Sequence, residues 1–329
     1  MIPPASEAAP GQPQNPTTGE WRVRPLSEFL PYADTSVGSW LGLLDGERQG
    51  VVRNLLFFVS ILLVAVVAAI GIGISHSANG VALGIFVGGG ALGIGYAGYV
   101  LLTLDFRSTF KAKIIAPLVR FFGQDFKYEP KSCFSEDDLR ASRLFGTIDR
   151  TNGEDYISGT AGKTSFACSE VIAQERVVSG QGKNAKRDWN TIFQGFFFIA
   201  DFSKEFSGIT VVLPSSAKSG VGEPVKLEDP EFARLFSVFS SDQILARYIL
   251  SPSLMQRLVQ YRRGVGHAIQ LSFVDGMLFA AMHTGHNLFE PPLFSRIDTR
   301  QFMRTFEDMH FVLSIIEELN LNTRIWTKH

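Results

Sequence analysis

The sequence contains few of the residues that usually reveal a protein's chemistry. Its 329 residues include two cysteines, Cys133 and Cys168, only 19% are charged, and the formal net charge is −1. A nearly neutral chain has no overall field that attracts a polyanion, so we expect no nucleic-acid partner. Thiols stay reduced in a cytoplasmic location, and we interpret both cysteines as free, with Cys168 a small buried apolar residue.

Charge is missing altogether from two long runs, residues 54–75 and 80–104. As a helix the first run spans about 33 Å, enough for a bilayer core. The two runs and the short polar turn between them predict a transmembrane helical hairpin over residues 51–104. The alternative is a pair of buried helices in a soluble core, where unbroken apolar runs longer than about 14 residues are rare. A cleaved signal peptide is not expected, because roughly 50 mostly polar residues precede the first run.

The basic residues around these runs predict an orientation. Arg48 and Arg53 precede the first run, Arg107 and Lys111 follow the second, and the turn at residues 75–79 contains neither lysine nor arginine. The positive-inside rule therefore places both termini in the cytoplasm and the turn outside.

Glycines are concentrated in the second run. Gly84 and Gly88, and likewise Gly89 and Gly93, are four residues apart. This spacing lets helix backbones approach closely, either within the hairpin or along the seam of a homo-oligomer. A pore has less support, because neither run carries a charged or strongly polar side chain that could line one.

Two segments flank the apolar runs. Residues 1–50 divide into a Pro-rich stretch, 1–20, which we expect to be disordered, and residues 21–47, which are aromatic and weakly charged. Tryptophan and tyrosine favour the membrane interface, so residues 21–47 either lie on the cytoplasmic leaflet or pack on the soluble domain.

Residues 105–128 predict a juxtamembrane connector. Its apolar residues recur every four positions, as on one face of a helix, and Pro117 should kink that helix. Its basic residues are Arg107, Lys111, Lys113 and Arg120. They either attract anionic headgroups, at about 1 kcal/mol each, or merely satisfy the positive-inside bias.

Residues 129–329 have the composition of a soluble domain of ordinary size. Helix starts are indicated by capping residues at Ser135, Asp229-Pro230 and Ser251-Pro252, and Asp275-Gly276 predicts a type I′ turn between two apolar strands. Further strands are predicted over 165–172, 189–202 and 209–213, and a long amphipathic helix over 298–319. The pattern predicts an α+β fold with a mainly antiparallel sheet, a long C-terminal helix and an N-terminal two-helix membrane hairpin.

Several polar groups could in principle form sites. Residues 159–164 resemble the end of a phosphate-binding loop, but the first glycine of that pattern is replaced by Ile157, so we expect a strand turn. His283 and His286 lie close together, yet zinc needs further ligands, and loop histidines are the simpler interpretation. Asp201 with Lys204 and Glu205 predicts a solvated turn rather than a site. Asp242 and Arg247 predict a structural ion pair.

One basic stretch precedes Trp189. Lys183, Lys186 and Arg187 form a weak pattern for nucleic acid and could instead face anionic lipid near the membrane anchor.

Four spaced phrases carry a resemblance to a known family: FACSE at 166–170, a longer phrase at 189–214, another at 227–258, and NLFEP at 287–291. They resemble a bacterial family catalogued as domain of unknown function 3137. The resemblance covers most of residues 105–295 and implies two membrane helices ahead of one soluble domain in the bacterial inner membrane. It implies no reaction and no catalytic residues.

We therefore predict a membrane-anchored cytoplasmic module that binds a protein partner or anionic lipid. One alternative is an enzyme whose site the sequence does not reveal. The other is a homo-oligomeric membrane component assembled through the glycine-rich helix. Besides the bilayer, the expected partners are another protein or a second copy of the chain. We assign no catalytic, cofactor-binding or metal-binding residue and expect no cofactor.

Overall fold

A computed structural model describes residues 21–76, 80–179, 186–201, 208–215, 217–264, 266–297 and 299–323. Its centre is a nine-stranded sheet in which every neighbouring pair is antiparallel, with the order β1-β2-β3-β4-β9-β8-β5-β7-β6. The strands are β1 (Lys127–Glu129), β2 (Arg150–Ala161), β3 (Thr164–Ser179), β4 (Lys186–Asp201), β5 (Ile209–Pro214), β6 (Glu223–Val225), β7 (Phe236–Ser240), β8 (Ala268–Val274) and β9 (Met277–His283).

The helices of the described chain lie mostly before and after the long strands. They are α1 (Leu26–Ser36), α2 (Gly38–His76), α3 (Gly80–Phe110), α4 (Ala116–Phe122), α5 (Glu136–Ala141), α6 (Pro230–Leu235), α7 (Gln243–Ile249), α8 (Pro252–Gly264) and α9 (Thr299–Thr323). A π-helical turn, Lys111–Ile115, joins α3 to α4. It ends two residues before Pro117, which has no N–H to continue an ordinary helical ladder.

These elements confirm the α+β prediction with a large antiparallel sheet. Ser135 caps α5, Asp229 caps α6, and the β8–β9 turn has φ of 48° at Asp275 and 80° at Gly276, the left-handed values of a type I′ turn. Residues 159–164 comprise the end of β2, the two-residue β2–β3 turn at Gly162 and Lys163, and the start of β3, with Gly162 at a positive φ of 66°. The predicted Asp242–Arg247 ion pair is wrong. The Asp242 carboxylate instead caps α7, and Arg247 donates to the carbonyl of Gln243.

The two apolar runs become α2 and α3, which pack antiparallel. Gly98 faces the Phe58 ring. A Cβ added to Gly95 would lie 3.6 Å from a methyl group of Leu62. By length and composition, one helix of the described chain, over Gly38–Gly71, could cross a membrane. Within its apolar 18-residue stretch, 6% of the residues are buried in the protein. Apart from Leu44 and Leu55, which are buried, its large apolar side chains mostly point away from the protein.

The sheet buries both of its faces, because the strands alternate their side chains. On one face Phe196 and Phe198 belong to the main core beneath α4, α8 and α9. On the other, Phe197 packs with Phe134 under α5. The shorter second core explains why a six-residue helix is enough to cover that face.

Residues 21–47 contribute to the main core. Phe29 is completely buried and contacts Phe121, Phe302 and Phe306, with ring centroids 4.3–5.1 Å apart. The Tyr32 hydroxyl donates to the Pro117 carbonyl at 3.0 Å. These contacts are those of the second alternative for this segment, packing on the soluble domain. The domain core consequently includes residues on both sides of α2 and α3.

Candidate functional site

A cluster of charged side chains lies where the end of α3 meets the sheet. It starts from an irregularity in β2, where the register with β3 shifts between Glu154 and Ile157. Asp155 has a positive φ of 63° and a fully buried side chain. Such a β-bulge redirects one side chain out of the regular alternation, and here it turns Asp155 toward the helices.

The two strands approach closely beside this bulge. Glu154 and Glu170 are directly paired across β2 and β3, and a Cβ on the preceding Gly153 would lie 2.1 Å from the Glu170 carbonyl oxygen. Only glycine fits at that position. Two carboxylates opposite each other on neighbouring strands repel, so this pairing needs positive charge nearby.

Lys111 supplies that charge from the first position of the π-helical turn. Its ammonium donates to Glu154 Oε2 at 2.7 Å and Asp155 Oδ2 at 2.8 Å, and it lies 3.2 Å from Glu290 Oε1. Tyr128 in β1 donates its hydroxyl to Asp155 Oδ1. Burial alone lowers the pKa of Lys111, but the three carboxylates outweigh it and the pKa is raised. The lysine therefore stays charged.

Glu290 extends the cluster back to α3. Its other oxygen, Oε2, lies 3.2 Å from Arg107 Nε, and Arg107 also donates to the Tyr99 hydroxyl at 3.1 Å. The loop that carries Glu290 also contacts α2, because Arg48 of that helix donates to the Leu293 carbonyl at 3.2 Å. Charged or polar contacts thus tie both helices to the sheet domain, before the apolar run of α2 and after that of α3.

Glu170 is the least satisfied member of the cluster. It is 5% exposed, and its Oε1 accepts from the Leu288 N–H. Its Oε2 has no hydrogen-bond partner among the described residues. Burial raises the pKa of Glu170 to about 8, and burial likewise raises that of Asp155 to about 6 despite Lys111. The Glu170 carboxyl is therefore largely protonated at neutral pH.

A cavity of about 210 Å³ adjoins Glu154 and Glu170. Its polar lining also includes Asn152, Gln194, His286 and Asn287, and Asn287 donates to Glu154 Oε1 at 3.2 Å. Gly195 keeps the neighbouring backbone close, since a Cβ there would lie 1.9 Å from the Met282 carbonyl. A cavity lined by carboxylates and amides suits a small polar or cationic ligand.

A second buried carboxyl lies under α9. Asp308 is 1% exposed and accepts a 2.6 Å hydrogen bond from the Tyr261 hydroxyl. Burial raises its pKa to about 7. A larger cavity of about 460 Å³, bounded by Tyr261, Phe306 and His310, opens beside it between α1, α8 and α9. Its lining mixes aromatic and polar side chains, whereas three closely spaced carboxylates of the described chain converge beside Lys111.

The structure distributes the predicted basic residues among different environments. Arg107 and Lys111 belong to the cluster, the Lys113 ammonium lies 4.1 Å from the Trp40 ring centroid, and Arg120 is exposed. Their lipid contacts stay a prediction, although the Lys111 ammonium is already held by carboxylates. Arg187 is exposed in β4; Lys186 is also in β4, but its side chain is outside the described part, as is all of Lys183.

The predicted packing glycines divide in the same way. Gly89 and Gly93 are exposed on α3, with no described atom within 4 Å of an added Cβ. Gly84 and Gly88 are in α3, but their surroundings lie outside the described residues. Of the α3 glycines whose surroundings are described, Gly95 and Gly98, later in the helix, contact α2.

The remaining polar candidates do not join the cluster, apart from one. His283 packs edge-on to Phe193 at 4.9 Å, and Asp201 is at the exposed end of β4, whereas Lys204 and Glu205 are outside the described residues. His286 does line the cavity. Sequence analysis missed Glu154, Asp155 and Glu170, whose only signal is acidic residues within strands that otherwise bury apolar side chains.

Comparisons with known proteins add a family and one distant structure. Residues 191–321 match the family model described as "Protein of unknown function (DUF3137)", a range that runs from β4 into α9 and leaves out α2 and α3. No curated protein matches the sequence. The crystal structure of the mycobacterial trehalose monomycolate transport factor A, TtfA, is similar at 11% identity, covering 64% of this chain and 94% of that chain. Its TM-score of 0.32 is too low to carry an argument.

Proposed function

We propose that this chain, which belongs to the DUF3137 family of proteins of unknown function, is a membrane-anchored binding or scaffold module. The proposal rests on the geometry of the chain itself. In this proposal α2 and α3 cross the bacterial inner membrane as a hairpin and hold the α+β domain at the cytoplasmic surface. The observation that carries it is the outward-facing apolar surface of α2, in whose apolar 18-residue stretch 6% of the residues are buried. Exposing such an apolar surface to water costs free energy, whereas in a bilayer lipid chains cover it.

The inner ends of the helices support the same placement. Arg48 and Arg107 sit just outside the apolar runs, and each contacts the loop that follows β9. In that loop Phe294 is 75% exposed, although large apolar side chains elsewhere in the sheet domain are mostly buried. At this level an exposed phenylalanine would enter the headgroup region, where aromatic rings are favoured.

Topology reporters test the proposal. A reporter that is active only outside the cytoplasm should be active after Asn79 and inactive at His329, since the positive-inside rule keeps both termini inside. The opposite pattern would overturn the orientation. Recovery of the full-length chain in the aqueous phase without detergent would overturn the membrane anchor itself.

A depth measurement tests the Phe294 contact. Phe294→Trp adds one tryptophan to the wild-type chain. In nanodiscs containing brominated phospholipid the fluorescence of this added tryptophan should be strongly quenched, because its indole would contact the headgroup region. The control is Ile244→Trp, at a residue 82% exposed in α7, and its added emission should be unquenched. Equal quenching of both variants contradicts the placement.

The ligand-binding surface that we propose is the outer end of the β3–β4 hairpin. Val177, Val178 and Trp189 are exposed there, and the Arg150 guanidinium lies 4.1 Å from the Trp189 ring centroid. If its ligand is anionic lipid, Trp189 emission should be quenched by brominated phosphatidylglycerol, and replacing Lys183, Lys186 and Arg187 by alanine should reduce that quenching. Unquenched wild-type emission would reject lipid and favour a protein partner.

Homo-oligomer assembly through α3 is a second candidate. It is favoured by the exposed positions of Gly89 and Gly93, which would let another helix approach. Leucine at Gly88, Gly89 and Gly93 should dissociate such an oligomer, as measured by light scattering of the detergent-purified chain. An unchanged mass for this variant would favour the simple anchor.

A further inference from the structure

The proposed anchor makes no use of the cavity and carboxylates at the end of α3. We propose that Glu154, Asp155 and Glu170 form a binding site for a hard divalent cation of the Mg²⁺, Ca²⁺ or Mn²⁺ class, for which the Lys111 ammonium is the resident competitor. The site is independent of which way the helices cross a membrane.

The spacing of the carboxylates suits such an ion. One oxygen from each residue can be chosen so that all three lie within 4.8 Å of one another. A Ca²⁺ ion with bonds of about 2.4 Å holds its oxygens at most about 4.8 Å apart, and Mg²⁺ holds them somewhat closer. The three strand residues therefore form a cradle of the right size with little backbone movement.

Glu170 provides the second indication of a ligand. It is 5% exposed, it borders the cavity, and its Oε2 has no hydrogen-bond partner within the described chain. A buried carboxyl oxygen without a partner costs free energy, which a cation that displaces the carboxyl proton and binds there would recover. The unmatched atom is therefore an expected ligand atom.

The cavity can complete the coordination shell. Its volume of about 210 Å³ holds several water molecules, each of which occupies about 30 Å³ in the liquid. Asn152, Gln194 and Asn287 add amide oxygens to the lining. Hard cations bind carboxylate, amide and water oxygens, and Mg²⁺ in particular keeps several waters. Entry is open, because Asn152, His286 and Asn287 are exposed.

Lys111 sets the competition. Its ammonium lies 2.7 Å from Glu154 Oε2 and 2.8 Å from Asp155 Oδ2, so it already uses oxygens that the cation would need. A divalent ion in the cradle would repel it toward Glu290, whose Oε1 lies 3.2 Å from Lys111 Nζ. Because Lys111 begins the π-helical turn after α3, ion binding would be felt at the end of that helix.

Titration of the full-length chain in detergent tests the site. After treatment with a chelator, the chain should bind Mn²⁺ at one saturable site, measured by the loss of the free-ion electron paramagnetic resonance signal, with Mg²⁺ and Ca²⁺ as competitors. Glu170→Gln should weaken binding by roughly tenfold or more, the size of effect that support of a metal site usually shows. Lys111→Gln should strengthen it, because the competing charge is gone.

Matched controls separate this site from general charge effects. Glu136→Gln removes an acid of the same type from α5, where Glu136 pairs with Arg140, and should leave Mn²⁺ binding unchanged. NaCl at the same ionic strength as the added Mg²⁺ or Ca²⁺ should not displace the bound Mn²⁺ as those ions do. If Glu170→Gln does not purify as a folded chain, Glu154→Gln is measured instead, since the Glu154 side chain is 32% exposed.

Two results would overturn the proposal. One is the absence of saturable binding of all three ions up to about 10 mM, the weak end of protein calcium sites being about 1 mM. The other is wild-type affinity in both Glu170→Gln and Glu154→Gln, which would place bound ions elsewhere.

Discussion

The helix pair and the sheet domain are both rich in large apolar residues, yet they place them in opposite ways. On α2, Phe57 is 69% exposed and Leu63 63% exposed, whereas Phe196, Phe197 and Phe198 of β4 are fully buried. The sheet domain supplies its own apolar surroundings, with helices on one face and α5 on the other. The helix pair depends on its solvent for them. The same residue types therefore report packing in one region and the medium in the other.

The largest test of this contrast is the same truncation in both regions. Phe198→Ala should lower the free energy of unfolding by about 3–5 kcal/mol, because it leaves a cavity in the core. Phe57→Ala removes an exposed ring and should change it by less than about 0.5 kcal/mol. Thermal unfolding of both variants in detergent measures the difference. Similar losses would mean that Phe57 is packed against something.

A charge substitution tests the helix pair more directly. Arginine at Leu63 should disfavour membrane insertion by about 2.5–3.5 kcal/mol, measured as the fraction of chain in the membrane pellet. Arginine at Ile244, which is 82% exposed in α7, is the matched control and should leave that fraction unchanged. Equal pelleting of both variants contradicts a lipid-facing α2.

The sheet domain should show a pH dependence that the uncharged spans lack. The pKa of Asp308 is raised from 3.8 to about 7 in the folded chain by burial. Between these values the folded state holds a proton that the unfolded state has released, so this group's contribution to stability falls as pH rises from about 4 to 7.

Asp308→Asn removes this titration and keeps an oxygen that can accept from the Tyr261 hydroxyl. Relative to wild type, its melting temperature should therefore rise between pH 5 and about 7, corresponding to roughly 2 kcal/mol, and level off at higher pH. The difference between the two proteins cancels other titrating groups such as Glu170. A difference independent of pH would show that Asp308 does not titrate in this range.

The smallest expected effect concerns a helix cap, a feature suited to the water-exposed domain. Ser135 accepts from the Asp138 N–H at 3.3 Å, and the Asp138 carboxylate accepts from the Ser135 N–H at 2.8 Å. Ser135→Ala should lower stability by about 1 kcal/mol. Ser132→Ala, in the loop before α5, should have a smaller effect in the same thermal assay.

Local rules predicted much of the fold. Capping residues placed the starts of α5, α6 and α8, and Asp275-Gly276 placed the β8–β9 turn, because these signals act within a few residues. Strands β1, β2, β6 and β7 escaped prediction. Strand β2 carries polar residues around its bulge, β7 is five residues long and directly follows α6, and β1 and β6 have three residues each. The sheet order also depends on pairings between distant strands, such as β4 with β9.

The candidate site was beyond sequence reasoning for the same reason. Lys111 appeared as one basic residue of a connector, Glu170 lay within the predicted strand 165–172 without being singled out, and Glu154 lay in no predicted element. Their meeting requires the Gly153 close approach, the bulge at Asp155 and the π-helical turn, none of which has a short-range signature. The exposed apolar face of α2, in contrast, follows directly from residues 54–75, since a run without charge needs no partner to be recognised.

The stacking of Phe29 on Phe306, with ring centroids 4.3 Å apart, has a consequence for biosynthesis. The partners are separated by most of the chain, including both apolar helices. At about 5–20 residues per second, the ribosome needs roughly 15–55 s to proceed from one to the other. During that interval the nascent N-terminal helix lacks its aromatic neighbour, so chaperone engagement should be concentrated before α9 emerges.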